Sequence, residues 1–192
     1  MTSLLSTDEI VTAISSFYDF LISFYLPESS LKTPPPGGWP DVSDGFFNPP
    51  KSKAVMELLR ALPYIDSRQP HGEPFQIYGG AVCVDYAGYD FEGPGPFEAE
   101  DCHLAEFAES MGLDISEHTF VLAAASGENG CWWILDVQLG IIQMAQFEDG
   151  EFDEMPIAEF FEKIKEKFRL LEAYPTDAET VEMAKGIEEV DN

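Results

Sequence analysis

Asp85 and Asp136 are the residues of this sequence best suited to general acid–base chemistry, because each carboxylate interrupts an otherwise apolar, strand-like stretch. Two carboxyl groups in one cleft can take different pKa values, so that one donates a proton while the other accepts it. Aromatic and imidazole groups would complete a pocket for a small molecule. The residues of this candidate pocket are Asp85, Tyr86, His118, Trp132 and Asp136.

A dense acidic run is the second cluster of chemistry-bearing side chains, and it comprises Glu148, Asp149, Glu151, Asp153 and Glu154. Carboxylate oxygens are Ca²⁺ ligands, but Gly150 does not occupy the glycine position of an EF-hand loop. The apolar residue that should precede the final glutamate is also missing. We interpret the run as an acidic, solvated loop and predict no metal site in it.

Signatures of cofactor chemistry and of common catalytic mechanisms are absent from the sequence. It contains no GxGxxG, no phosphate-binding P-loop, no GxSxG elbow and no HExxH. Cys102 and His103 are adjacent but have no partner at zinc-ligand spacing. We therefore expect a non-enzymatic protein without catalytic residues, cofactor or metal.

The strand around Trp132 has two chemically different faces. Alternation places Trp132 and Asp136 on one face, and Trp133, Leu135 and Val137 on the other. Core packing favours the second set. The first set either lies beneath the N-terminal helix or forms an aromatic, acidic binding surface.

Charge is distributed very unevenly along the chain. The formal net charge is −26, and twenty carboxylates lie between Arg68 and Lys163 without a single Lys or Arg. Such a segment projects a negative field that disfavours nucleic acid and anionic membrane as direct ligands. It would attract a basic protein, a polyamine or a metal cation. Solubility alone is the alternative use of this charge.

The N-terminal region and the cysteines indicate a cytoplasmic or nuclear protein. No Lys or Arg precedes Lys32, and polar residues interrupt the first apolar stretch, so we expect neither a signal peptide nor a membrane span. The three cysteines are scattered and odd in number, which is typical of free thiols in a reducing compartment. They are Cys83, Cys102 and Cys131.

Residues 1–50 are predicted to form an N-terminal helix followed by a Pro/Gly-rich loop. Ser6 and Glu9 have the spacing of a capping box, and Pro27 should end the helix. The segment from Pro34 to Pro40 contains Trp39, which indicates a loop packed against the domain rather than a free linker. A second helix is predicted from about Ser52 to Leu62.

The rest of the chain reads mainly as antiparallel sheet. We expect β-structure from Phe75 to Tyr86 with a turn at Gly79-Gly80, and a helix ending at Gly112. Loops too short for a parallel crossover separate three further strands, which are Thr119–Ala125, Cys131–Val137 and Ile141–Phe147.

Two helices are predicted to follow these strands. One opens near Pro156 and runs to Leu171, with Lys163, Lys165 and Lys167 outward or at its flanks. Residues 176–192 are predicted to form a weak helix, capped by Thr176 and Glu179, and an acidic tail. The whole chain, 1–192, is thus expected to be one α+β domain with helices packed on five or six mostly antiparallel strands.

Part of the sequence resembles the second half of SUKH-superfamily domains, which include yeast cell-wall-integrity regulators and bacterial immunity proteins that neutralise toxins. The resemblance covers residues 119–171 and is carried by Gly130-Cys131-Trp132-Trp133-Ile134-Leu135-Asp136, by Gly140-Ile141-Ile142 and by Phe160-Phe161 after Pro156. The Pro34–Pro40 stretch and residues 53–64 look like filamentous-fungal proteins distantly similar to that superfamily. The resemblance implies a domain that binds proteins and has no catalytic residues.

These observations favour a regulatory or protein-interaction module that binds a basic partner. Its expected contact residues are Trp132, Asp136, Glu148, Asp149, Glu151, Asp153 and Glu154. The alternative is a small-molecule-binding protein or a motif-less enzyme that uses the pocket around Asp85 and Asp136. A third alternative, imitation of nucleic acid, requires carboxylates spaced along a ridge.

Overall fold

The computed structural model describes residues 5–43, 47, 50–66, 74–88, 116–127, 130–146, 152–177 and 179–184. The first helix, α1, spans Thr7–Phe24. The predicted capping box is present: the Ser6 amide donates to Glu9 Oε2 (2.7 Å), and the Glu9 amide donates to Ser6 Oγ (3.3 Å). The C-cap residue is Tyr25, two residues before Pro27. Its buried stripe consists of Ile10, Ile14, Phe17, Tyr18 and Leu21.

The second helix, α2, spans Lys53–Ala61, and Ser52 caps it as predicted. The Pro/Gly-rich segment folds back onto the end of this helix. Trp39 Nε1 donates to the Leu62 carbonyl (2.8 Å), and the Trp39 backbone amide donates to the Arg60 carbonyl (2.9 Å). Gly38 has a φ of +84°, and a Cβ there would lie 2.7 Å from the Arg60 carbonyl oxygen. The prediction that this segment packs as an ordered loop is confirmed.

One short strand follows each of these two helices, and the two strands pair with each other. β1 spans Leu31–Lys32, β2 spans Tyr64–Ile65, and they pair antiparallel. Preceding β1 is a single 3-10 turn over Glu28–Ser30. This pairing brings Lys32 beneath the loop that holds Trp39.

Six antiparallel strands form the main sheet, in the spatial order in which they occur along the chain. They are β3 (Gln76–Tyr78), β4 (Ala81–Cys83), β5 (Thr119–Ala125), β6 (Cys131–Asp136), β7 (Ile141–Gln146) and β8 (Phe152–Pro156). The turn at Gly79-Gly80 and the β5–β7 meander are where the sequence predicted them. The α+β class with a mostly antiparallel sheet is therefore confirmed.

One side of the sheet, here called the helix face, packs against α1 and the third helix, α3, which spans Ile157–Arg169. Trp133 is the centre of this layer, with ring centroids 5.8 Å from Phe17 and 4.8 Å from Phe160. Phe17 also stacks on Phe161 at 4.9 Å. The opposite side, which carries Trp132, is here called the second face.

The end of α3 has an unusual backbone conformation. The Leu171 amide donates to the Phe168 carbonyl, and the Glu172 amide donates to the Lys167 carbonyl. This is the hydrogen-bond pattern of a Schellman motif. Leu171 occupies the position usually taken by glycine, at a φ of +59°, and its side chain is 62% exposed.

The predicted helix from Thr176 is wrong. Ala173–Pro175 (β9) and Val181–Met183 (β10) form an antiparallel hairpin instead. Asp177 explains this outcome, because its Oδ1 accepts hydrogen bonds from the amides of Glu179 (2.8 Å) and Thr180 (2.7 Å). An aspartate bonded in this way stabilises a turn in place of a helix. Residues 185–192 lie outside the described part of the chain.

Two further expectations need correction. Phe152–Pro156, expected to belong to an acidic loop, is a strand that pairs with β7. Lys165, expected outward or at a flank of α3, is buried, and its Nζ donates to Ser16 (2.9 Å) and Glu162 (2.8 Å). Pro156 directly precedes the first turn of α3. The helix expected to end at Gly112 lies outside the described residues, as does Cys102.

Candidate functional site

Asp85, the first candidate acid–base residue, holds the end of β4 in place. Its carboxylate accepts a hydrogen bond from Lys32 Nζ (2.5 Å) and from the amides of Ala87 (3.1 Å) and Gly88 (3.0 Å). Only 3% of the Asp85 side chain is exposed. The carboxylate therefore ties β1 to the chain that leaves β4.

Tyr86 and His118 make contacts with residues other than Asp85. The Tyr86 hydroxyl donates to the Val121 carbonyl (2.9 Å), and the Tyr86 ring packs against Phe120 at 6.1 Å. His118 precedes β5 and its Nε2 is 3.4 Å from Glu117, which is exposed. Phe120 pairs with Leu135 on the helix face, so Tyr86 belongs to that side of the sheet.

Asp136, the second candidate acid–base residue, stabilises the turn between β6 and β7. Its Oδ1 accepts a hydrogen bond from the Leu139 amide (2.8 Å), and its carbonyl accepts one from Gly140 (2.8 Å). Asp136 pairs with Thr119 and Ile141, on the second face. The structure does not bring the five candidate pocket residues together, because Tyr86 is on the helix face while Trp132 and Asp136 are on the second.

The second face combines Trp132, Asp136 and Glu154, as strand register requires. Trp132 pairs with Ala145, and Gln143 lies between Ile134 and Glu154 in adjacent strands. Trp132 is partly buried. Helix α1 packs against Trp133 on the opposite side, so it is not the element that covers Trp132.

The acidic run is split between the two faces. Asp153 lies on the helix face and its Oδ2 is 3.0 Å from Lys163 Nζ, both side chains being about half exposed. Glu154 lies on the second face, where Gln143 Nε2 donates to its Oε2 at 3.4 Å. Glu148, Asp149 and Glu151 lie outside the described residues.

β8 is the last strand of the main sheet, and in the part of the chain that the structure describes nothing pairs with its outer edge. The Ile157 amide donates to the Gly140 carbonyl (3.1 Å), continuing the register that pairs Met155 with Ile142. In an antiparallel ladder the residues that exchange hydrogen bonds alternate with residues that do not. The backbone groups of Asp153 and Met155 therefore point towards β7, and those of Phe152 and Glu154 point outward, while Pro156 is the N-cap of α3.

Sequence reasoning missed Gln143 and the outward backbone groups of β8. Gln143 is only 8% exposed, and its Oε1 has no hydrogen-bond partner among the described residues. The signal that could have found it is its position in a strand between apolar Ile142 and Met144, where a buried amide requires partners.

Two further features of the described residues bear on metal and small-molecule binding. No group of three or more His, Cys, Asp or Glu side chains among them could hold a metal ion. A shallow, open depression of about 300 Å³ is lined by Pro34, Pro35, Gly37, Gly38, Glu57, Arg60 and Ala61. None of the candidate site residues lines it.

Comparison with protein-family models, with curated proteins and with solved structures finds no match for this chain. Among the residues that the structure describes, no helix is both long and apolar enough to span a bilayer.

Proposed function

We propose that this protein is a non-enzymatic interaction module that binds a basic protein through the acidic end of its sheet. The proposed contact surface comprises Glu154 and the acidic sequence that precedes β8. On the adjoining second face it is supported by Trp132, which is partly buried, and by Asp136, which is buried. The SUKH-type resemblance of residues 119–171 supports the same class of function, and we propose membership of that superfamily. A cytoplasmic or nuclear location is part of this proposal.

One observation carries the proposal: most of the described basic side chains are already engaged within the chain. Lys32 pairs with Asp85, Lys163 with Asp153, and Lys165 with Glu162. Arg60 donates to the Val42 carbonyl (3.0 Å) and Lys51 to the Ser116 carbonyl (2.8 Å). With a formal charge of −26, these contacts leave a large excess of carboxylates to be neutralised from outside.

Electrostatic steering supplies the test of this proposal. Affinity capture from the native host at low salt, followed by mass spectrometry, would provide partners whose association rate can be measured by stopped flow. We expect the association rate of a basic partner to fall steeply as salt rises, because charge screening shortens to about 8 Å at physiological ionic strength.

A pair of charge-matched variants locates the surface. The first variant neutralises the acidic run, with Glu148, Glu151 and Glu154 changed to Gln and Asp149 and Asp153 to Asn. The second neutralises five exposed carboxylates elsewhere, namely Asp8, Asp19, Glu28, Asp41 and Glu172. The first should slow association far more than the second. Equal slowing, or an acidic partner whose binding ignores salt, would contradict the proposal.

A further inference from the structure

The two edges of the main sheet differ in a way that bears on how a partner docks. At the β3 edge, the Gln76 amide donates to the Glu179 carbonyl (2.9 Å) and the Gln76 carbonyl accepts from the Tyr25 hydroxyl. Gln76 Oε1 also accepts from the Val181 amide (2.9 Å), which fastens the C-terminal hairpin there. The β3 edge is thus covered by its own chain.

At the β8 edge, outward backbone groups remain available in the described part of the structure. The amides and carbonyls of Phe152 and Glu154 point away from β7, whereas the Pro156 carbonyl is used at the N-cap of α3. Pro156 has no amide, so the available donors are confined to two successive outward positions. Such an edge is a template on which another extended chain can pair.

The charge of this edge selects what can pair with it. Asp153 and Glu154 are both exposed on β8, so a second copy of the chain would bring like charges together. Beside Glu154, the buried Gln143 donates from its Nε2 to Glu154 Oε2 at 3.4 Å, and its own Oε1 is enclosed. The exposed Glu154 carboxylate is an acceptor, so an incoming side chain at this point must supply donors.

We propose that β8 receives an extended, basic segment of the partner as a seventh strand of the sheet. This inference rests on the proposed function and adds its mode of binding. The segment pairs with the outward groups of Phe152 and Glu154, and the residue opposite Glu154 is Lys or Arg. Main-chain hydrogen bonds provide the affinity, and the alternating side chains provide the selectivity.

Hydrogen exchange tests this mode directly on the unmodified protein. The probe is a nine-residue peptide of alternating Lys and Val, capped at both ends, added at 50 mM salt. We expect amide exchange at Phe152 and Glu154 to slow about tenfold or more when the peptide is bound, because newly bonded amides are protected. Exchange at Asp153 and Met155, which already point towards β7, should change little.

A matched pair of variants separates charge from backbone pairing. Glu154→Gln removes the charge and keeps the outward amide, whereas Glu154→Pro removes both. Proline is tolerated at such an edge position because no bond to β7 is lost. Glu154→Pro should bind the peptide about threefold to tenfold more weakly than Glu154→Gln, corresponding to one lost hydrogen bond. The control peptide carries the same side chains with every backbone amide N-methylated, and it should bind more weakly than its parent.

The outcomes distinguish this inference from the proposed function. Equal affinity of Glu154→Gln and Glu154→Pro, or unchanged exchange at Phe152 and Glu154 with peptide bound, would overturn strand addition and leave a basic partner in place. A fully N-methylated peptide that binds as well as its parent would also overturn strand addition and leave a basic partner in place. Absence of salt-dependent binding to any basic probe would overturn the proposed function itself.

Discussion

Lys32 Nζ lies 2.5 Å from Asp85 Oδ2, and this ion pair joins two segments that are 53 residues apart in the sequence. The same ammonium group is 5.6 Å from the centroid of the Trp39 ring, so one cation connects β1, the Pro/Gly-rich loop and the end of β4. Removing it would leave the Asp85 carboxylate buried with only two backbone donors.

The first prediction concerns this pair. Lys32→Met should lower the free energy of unfolding by about 3 kcal/mol, because an uncompensated buried charge is strongly destabilising. The matched control is Lys53→Met, which breaks an exposed pair with Glu57 at 3.2 Å and should cost less than about 1 kcal/mol. Urea denaturation of both variants provides the measurement. Equal losses would show that Asp85 does not depend on Lys32.

The second prediction concerns alkaline pH. Burial raises the pKa of Cys83 to about 11 and that of Cys131 to about 12, from an ordinary value of 9.0. The fold favours the neutral thiols, so their contribution to stability is complete below pH 9 and is lost as pH rises towards those values. Cys83 alone should account for roughly 2–3 kcal/mol of that loss.

Replacing both thiols checks this assignment. The double variant Cys83→Ala/Cys131→Ala should lose less stability than the parent between pH 9 and 11, as measured by chemical denaturation at each pH. In the parent protein at pH 8, both thiols should react with a thiol reagent only after unfolding. A disulfide on a non-reducing gel would contradict the proposed cytoplasmic or nuclear location.

The third prediction concerns the left-handed residue at the end of α3. Leu171→Gly should raise the free energy of unfolding by about 0.5–1 kcal/mol, because glycine adopts a φ of +59° without the steric cost borne by leucine. The neighbouring Leu170 has a φ of −85° and is also exposed, so Leu170→Gly should instead destabilise by about 1 kcal/mol. If both variants shift the melting temperature in the same direction, backbone strain is not the cause.

The fourth prediction concerns the aromatic layer between the helices and the sheet. Phe161 is buried and stacks on Phe17, so Phe161→Ala should lower the free energy of unfolding by roughly 3–5 kcal/mol. Leu139→Ala, at an exposed turn position, should change it by no more than about 0.5 kcal/mol. An unchanged melting temperature for Phe161→Ala would mean that its ring is not part of the core.

Local signals in the sequence were sufficient for some elements and misleading for others. Ser6 and Glu9 predict the start of α1 because a capping box is satisfied within four residues. Thr176 and Glu179 repeat that spacing, yet Asp177 between them bonds the Glu179 and Thr180 amides and forms a turn. The same spacing therefore begins a helix at Ser6 but lies in a turn at Thr176, where β9 pairs with β10.

The strand β8 and the role of Asp85 could not be predicted from local sequence, because both depend on partners elsewhere in the chain. β8 is acidic and short, and its extended conformation comes from pairing with β7 rather than from its own residues. Asp85 looked like an acid–base group because its partner, Lys32, is far away in the sequence. The alternation that assigned Trp132 and Trp133 to opposite faces was reliable, because a strand has a side-chain period of two.

The contact between α1 and α3 has a consequence for the order of events during synthesis. Lys165 donates to Ser16 across 149 residues of sequence, and Phe17 stacks on Phe161. On the ribosome, α1 would emerge long before α3, and loop closure on this scale makes folding slow. The side of α1 that faces α3 therefore stays uncovered until α3 has left the exit tunnel, and we expect chaperones to bind the nascent chain there.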